Sequence, residues 1–139
     1  MPQDAPAHFI IHHLTHARAA ALAGRQAGRP VVLHSPANAA AILGPEGWLA
    51  ILNALRRDLP DVPAAAGQLD CAAAPGLALA ALRIGLSCLR LDRACPAWDR
   101  VADIARAYGG TLCDALPPDV LDLALPRDPA AAALVWLKP

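Results

Sequence analysis

The sequence has almost no lysine and almost no glutamate, since Lys138 and Glu46 are the only ones among 139 residues. A Schiff-base enzyme needs a lysine held in a dry pocket, and a P-loop needs one directly after its glycines. The paired glutamates of many glycosidases and the H-E-x-x-H motif of zincins are equally absent. The composition therefore excludes these four kinds of active site.

Excess charge of either sign and long apolar runs are also missing. The chain has 12 basic and 12 acidic residues and a formal net charge of 0 at pH 7, whereas nucleic-acid binders usually carry a basic face that neutralises phosphates. No uncharged apolar run reaches the roughly 18 residues of a membrane span, and the N-terminus lacks the basic start of a secretory signal. We therefore expect no nucleic-acid partner, no membrane partner and a cytoplasmic location.

Aromatic residues make up only 4% of the chain, but hydrophobic residues make up 56%. A chain of this length and apolar content is expected to fold as one domain that spans residues 1–139. The cysteines include no C-x-x-C pair, which is typical of free, buried thiols in a reducing compartment. They are Cys71, Cys88, Cys95 and Cys113.

What the sequence does contain is a regular alternation of short apolar runs and prolines. Proline stands where a helix would begin, because its missing N–H has no partner there and its φ is already helical. The apolar runs between these points predict strands over 8–14, 31–34, 68–72, 86–91 and 111–115. Helices are predicted over 16–27, 36–43, 45–59, 75–84, 96–108 and 129–137, and 121–125 is either a short strand or a turn of helix.

Strands that alternate with helices of ten or more residues form parallel sheets through right-handed crossovers. We therefore predict a single α/β domain with a mainly parallel sheet of about five strands, helices on both faces, and a size like that of flavodoxin. A half-length barrel that pairs with itself is the alternative architecture.

Ligands bind beyond the carboxyl ends of the strands in open parallel sheets, and each predicted strand delivers a polar residue to that edge. Acid–base residues are predicted at the ends of the second, third and fifth strands: His34, Asp70 and Asp114. Ligand-binding residues are predicted in the loops at the same edge: His13, Ser35, Asn38, Asp92 and Arg93. In such a site a histidine exchanges the proton and an aspartate orients it.

These residues also have ordinary structural explanations. The serine after the second strand can be a helix N-cap, and aspartates near helix N-termini are favoured by the helix dipole. Two other chemistries stay open. A metal could be bound by the set His13, His16 and His34 together with Asp70 or Asp114. A thiolate nucleophile could be formed by Cys71 or Cys113 near His34. Because no strict ligand spacing is present, we predict no metal site, and the sequence identifies no cofactor.

Two predicted helices lack a polar face, since the one over 75–84 carries a single charge and the one over 129–137 carries none. A helix that is apolar all round is covered on both sides, either by the other helix or by a second subunit. We predict a homodimer, the commonest oligomer, through one of two surfaces: Leu77, Ala81 and Ile84, or Leu134 and Trp136.

The best functional hypothesis is therefore a small-molecule binding module with its pocket at the carboxyl edge of a parallel sheet. The alternative is a small enzyme that uses histidine and aspartate acid–base chemistry at the same edge. The sequence identifies neither a ligand nor a reaction.

Overall fold

A computed structural model describes residues 5–62 and 66–138 of the chain. Its elements are β1 (Ala7–Ile10), α1 (Leu14–Ala27), β2 (Val31–His34), α2 (Ala39–Ile42), α3 (Gly44–Asp58), β3 (Ala66–Asp70), α4 (Pro75–Arg83), β4 (Cys88–Arg90), α5 (Trp98–Ala107), β5 (Thr111–Cys113), β6 (Val120–Asp122) and α6 (Pro129–Leu137). The strands form one parallel six-stranded sheet in the order β5-β4-β3-β2-β1-β6.

The α/β class and the parallel sheet are thus confirmed, with six strands instead of about five. The additional strand is β6, which overlaps the segment 121–125, where the sequence predicts either a short strand or a turn of helix. From β1 to β5 each strand lies beside the strand that follows it in the chain. This is the strand order of a β/α-barrel segment and differs from the 2-1-3-4-5 order of flavodoxin.

The helices agree with their predicted positions except for α2, which is shorter than 36–43. Asn38, just before it, has a left-handed backbone with φ of 60°, which an α-helix cannot contain, so only Ala39–Ile42 is helical. In contrast, α6 has its predicted bounds, and Asp128 caps it by accepting a hydrogen bond from the N–H of Ala131. No helix in the described part of the chain is long and apolar enough to cross a bilayer.

The chain divides into two compact units. The first contains residues up to 34, 51–67 and those from 117 onward, and the second contains 35–50 and 68–116. In the first unit β1 lies between β2 and β6. Phe9 of β1 is opposite Leu33 of β2, and both are fully buried. Helix α1 packs against α6, and most of the buried residues of α1 are alanines, whose small side chains let neighbouring elements approach closely.

In the second unit β4 lies between β3 and β5. Because successive side chains of a strand point to opposite faces, this part of the sheet has two different surfaces. Leu69 and Leu89 are opposite each other on one face and are fully buried. Gln68, Asp70 and Arg90 project from the other face, so the polar residues of β3 and β4 are brought together there.

Candidate functional sites

Three imidazoles gather where β1 ends and α1 begins. We call His12, His13, His16 and Asp122 the histidine cluster. The ring centroids of His13 and His16 are 3.8 Å apart, and those of His12 and His16 are 5.7 Å apart. Nε2 of His12 lies 2.8 Å from Oδ1 of Asp122, because β1 and β6 pair in parallel and end side by side. The cluster therefore occupies the carboxyl edge of the first unit, where ligands of parallel sheets bind.

His16 is the buried member of the histidine cluster, with an exposure of 6%. The backbone N–H of His12 donates to its Nδ1 at 3.2 Å. An N–H group can only donate, so Nδ1 carries no proton and the neutral ring is protonated at Nε2. Burial lowers the pKa of His16, and the neighbouring His13 and His12 lower it further, while Asp122 opposes them. His16 is therefore a neutral Nε2–H donor at neutral pH.

The lowered pKa of His16 predicts that mild acid destabilises the fold. An unfolded chain takes up a proton on this imidazole near its ordinary pKa of 6.5, but the folded chain resists it. The unfolded state therefore binds more protons as the pH falls below about 6.5, and the free energy of unfolding decreases. The pKa of His8 is lowered too, by burial and then by Arg29, so it acts in the same direction. Urea titrations at several pH values between about 7.5 and 5.5 measure this loss.

His16→Gln removes one of these titrating groups, so this variant should lose less stability between the two ends of that pH range than the unaltered protein. Thr15→Val is the control, because it changes the same turn of α1 without changing a titratable group. Stability that stays constant or rises on acidification would contradict the prediction, as would an unchanged pH dependence in His16→Gln.

His34, a predicted acid–base residue, is buried on β2 with an exposure of 2%. Its Nε2 lies 3.0 Å from Nδ1 of His8 on β1. A hydrogen bond between two ring nitrogens needs one that is protonated and one that is not, so the two facing nitrogens cannot both carry a proton. His34 is therefore the buried half of an imidazole pair whose other member, His8, is half-buried on β1.

A buried ion pair organises the second unit. Nε of Arg90 donates to Oδ1 of Asp70 at 3.0 Å, and the two side chains are only 8% and 11% exposed. The guanidinium also donates from Nη1 to Oε1 of Gln68 at 3.1 Å and from Nη2 to the carbonyl oxygen of Ser35 at 3.3 Å. Arg90 thus ties β4 to β3 and to the chain that follows β2. We call Arg90, Asp70, Gln68 and Ser35 the arginine network.

Three predicted site residues, Ser35, Asn38 and Asp70, are brought together at this network. The N–H of Asp70 donates to Oγ of Ser35 at 2.8 Å, and the N–H of Asn38 donates to Oδ2 of Asp70 at 2.5 Å. The fully buried hydroxyl of Ser35 donates to the carbonyl oxygen of Pro36, so the expectation that Ser35 caps a helix is wrong. Since both oxygens of Asp70 accept hydrogen bonds, its carboxylate fixes the loop over 35–38.

The other predicted site residues of the second unit are exposed. Oδ1 of Asp92 accepts a hydrogen bond from the N–H of Ala94, within its own turn. The guanidinium of Arg93 lies over the ring of Trp98, 4.0 Å from its centroid. Asp114 follows β5 directly. Within the described residues none of these three side chains hydrogen-bonds to Asp70, so the structure does not join them to the arginine network.

Two cysteines that the sequence allowed as nucleophiles have unfavourable surroundings for a thiolate. Cys71 is fully buried, and burial followed by the charge of Asp70 raises its pKa to about 12, although Arg90 acts in the opposite direction. Burial also raises the pKa of Cys113. Since the thiolate is the reactive form, this geometry disfavours cysteine catalysis.

We expect iodoacetamide at about pH 8 to leave Cys71 unmodified in the folded protein. A thiol with a pKa of about 12 is ionised in roughly one molecule in 10,000 at that pH. Peptide mass spectrometry measures the labelling of each cysteine, and the half-buried Cys88 is the internal comparison. Labelling of Cys71 as fast as that of Cys88 would contradict the prediction, and labelling of all four after unfolding is the control.

Sequence reasoning missed Asp122 and Arg90. The segment 120–122 is too short to show a clear alternation of apolar and polar residues, so it could not be assigned as a strand. Once the strand is assigned, the rule that each strand ends in a polar residue identifies Asp122. Arg90 stands between Leu89 and Leu91, where a charged residue in an apolar run gives no direct sign of burial. Its position opposite Asp70 depends on the register of β3 and β4, which no local pattern specifies.

A scan against protein-family models gives no match, and a search of curated proteins gives none either. Function therefore has to be inferred from the histidine cluster and the arginine network.

Proposed function

We propose that the protein binds a small molecule at the histidine cluster, at the carboxyl ends of β1 and β6. The observation that carries the proposal is the pair formed by His12 and Asp122, joined at 2.8 Å and yet 34% and 29% exposed. A ligand can reach this pair and find acceptors held in place, Nδ1 of His12 and the carboxylate of Asp122. His13, a predicted ligand-binding residue, is exposed beside it.

The arginine network fits a ligand site less well. The ion pair of Arg90 and Asp70 is almost fully buried, and both oxygens of the carboxylate are already used within the unit. Each member of such a buried pair compensates the charge of the other, so neither is available to a ligand. We therefore assign Asp70, Ser35 and Asn38 a positioning role in the second unit.

A fragment screen by NMR tests the proposed binding site. The probe is a library of small polar fragments, and the readout is the chemical shift of the histidine ring protons. We expect some fragments to shift the His12, His13 and His16 signals saturably, and His12→Ala to abolish their binding. His8→Ala is the matched control, because His8 lies in the same unit but pairs with His34. Hits that never perturb the cluster, or that bind His12→Ala equally, would overturn the proposal.

A second candidate function, acid–base catalysis, is favoured by the hydrogen bond between His12 and Asp122. The carboxylate orients the imidazole through Nε2, and the opposite nitrogen, Nδ1, can then exchange a proton with a bound molecule. For any fragment hit that is turned over, His12→Gln should abolish turnover, and Asp122→Asn should reduce it while binding persists. If fragments bind but none is turned over under any condition, the acid–base proposal is wrong and only the small-molecule binding proposal remains.

We also propose that the protein forms a homodimer through α6. This helix has no polar side chain, yet Val135 and Trp136 are 65% and 37% exposed. Exposed apolar residues on a helix that has no polar face are typical of an interface. The alternative surface on α4 is less available, since its residues are buried or half-buried: Ala81, Leu77 and Ile84.

Sedimentation velocity tests the dimer. We expect the unaltered protein to sediment as a dimer and Trp136→Glu to sediment as a monomer. Leu125→Glu is the control, because Leu125 is 81% exposed and lies outside α6. A monomer at every concentration of the unaltered protein would overturn the proposal.

We propose a cytoplasmic location without a nucleic-acid partner, on the basis of the free cysteines and the zero net charge. Cell fractionation and an assay with random duplex DNA test the two parts. Recovery in a membrane or extracellular fraction would contradict the first, and salt-sensitive DNA binding would contradict the second.

A further inference from the structure

Strand β5 is an open edge of the sheet in the second unit. Within the described part of the chain it stands at one end of the strand order and pairs only with β4. The N–H of Thr111 donates to the carbonyl oxygen of Ser87. The carbonyl oxygen of Cys113 accepts from the N–H of Leu91. Because the backbone groups of alternate residues point to opposite sides of a strand in a ladder, the N–H and C=O of Leu112 point away from β4.

A groove of about 530 Å³ lies beside this edge, between β5 and α5. Its apolar wall is formed by Trp98 and Ala102 of α5 and by Leu112. The indole ring of Trp98 is held in place, since its Nε1 donates to the carbonyl oxygen of Leu91 at 3.1 Å and the guanidinium of Arg93 lies 4.0 Å from its centroid. A wall that is fixed before binding lowers the entropic cost of ordering a partner against it.

The charged side chains at the groove compensate one another. Asp99 pairs with Arg93 at 3.4 Å, and Asp103 pairs with Arg106 further along α5. Lysine and proline, which natural edge strands use to prevent pairing with another chain, are both absent from β5, whose residues are Thr, Leu and Cys. The groove and its edge strand therefore favour an uncharged partner.

The two faces of β5 specify the side-chain pattern of a strand that pairs with it. Leu112 lies beside Leu89 on the apolar face, which is the side of the groove. Thr111 and Cys113 project from the polar face, where Arg90 also lies. Side chains of an added strand also alternate between the two faces. Its apolar residues therefore enter the groove, and its polar residues extend the polar face.

We propose that the protein binds an extended peptide segment of a partner protein as an additional strand beside β5. The segment has uncharged side chains that alternate between apolar and polar. Main-chain hydrogen bonds give such strand addition its affinity, and pockets for alternate side chains give it specificity. The site belongs to the second unit and the histidine cluster to the first, so this inference is independent of the proposed small-molecule site.

The probe is a short peptide of alternating valine and threonine, followed by two lysines that keep it soluble. We expect it to shift the NMR signals of the Leu112 amide and the Trp98 indole N–H saturably and to leave the histidine ring signals unchanged. Two analogues are N-methylated, one at every valine and the other at every threonine. Only one set of amides faces β5, so one analogue should bind about tenfold more weakly and the other should bind like the parent peptide.

Leu112→Pro tests the same hydrogen bonds from the side of the protein. Proline removes the outward N–H but no bond of the ladder between β4 and β5, which is why proline is tolerated on edge strands. This variant should bind the peptide about tenfold more weakly than Leu112→Ala, the matched control, which also loses apolar volume but keeps the N–H. Urea unfolding verifies that both variants fold, and the N-methylated peptides test the proposal without any variant.

Three results would overturn the added strand. The first is equal binding of the two N-methylated analogues. The second is equal binding of the parent peptide by Leu112→Pro and Leu112→Ala. The third concerns a second copy of the chain as the occupant: if Trp136→Glu still sediments as a dimer and adding Leu112→Pro dissociates it, this edge pairs with another copy and the peptide proposal is wrong.

Discussion

Replacing Arg90 with alanine is expected to destabilise the protein by about 3–5 kcal/mol, the usual cost of removing one member of a buried ion pair. This loss of stability arises because two buried groups that remain in the variant lose their partner. The Asp70 carboxylate keeps the N–H of Asn38 but loses the guanidinium that compensates its charge. The carbonyl oxygen of Ser35 loses the hydrogen bond from Nη2 as well. Urea unfolding with an unchanged m value measures the effect as a shift of the midpoint.

Arg93→Ala is the matched control, because its partner Asp99 is 88% exposed and Arg93 itself is 57% exposed. Exposed pairs contribute about 0–1 kcal/mol, so this variant should differ little from the unaltered protein. If Arg90→Ala does not fold, the double variant Arg90→Met with Asp70→Leu still tests the pair, because replacing both charges with apolar groups is often neutral. An Arg90→Ala variant as stable as Arg93→Ala would show that the arginine network contributes nothing to the fold.

The sequence predicts those features that depend on local pattern. Pro129 after a capping Asp128 fixes the start of α6, and the alternation of helices with apolar runs implies a parallel sheet. The polar residue at each strand end follows from the same pattern, so Asp70 and His34 could be placed near the carboxyl edge without coordinates. These are the features in which propensity, capping and periodicity all agree.

The contacts within the candidate sites could not be predicted, because they depend on which strands are neighbours and in what register. Nothing in the segment around 8–14 indicates that β6 lies beside β1, yet that pairing brings Asp122 to His12. In the same way Arg90 meets Asp70 only because β3 and β4 pair in one particular register. A shift by one residue would turn each of these side chains to the opposite face.

Phe9→Ala is expected to cost about 3–5 kcal/mol, because truncating a buried aromatic ring loses its burial and leaves a cavity. Phe9 is fully buried at the middle of the first unit, opposite Leu33 on one side and Leu121 on the other. It is the only phenylalanine in the chain, and much of the rest of the core is alanine and leucine. We expect the surrounding structure to close such a cavity only in part.

Substitutions of different size at position 9 distinguish the effect of a cavity from a general sensitivity of β1 to substitution. Phe9→Leu keeps most of the volume and should cost only about 1–2 kcal/mol, while Leu125→Ala, at an exposed position, should stay within about 0.5 kcal/mol. Because His12 follows β1 by two residues, a cavity under Phe9 should also weaken the hydrogen bond from His12 to Asp122, which ring-nitrogen NMR shifts report. Equal costs for alanine and leucine at position 9 would mean that the ring is not packed as described, and the histidine cluster would then lack a rigid support.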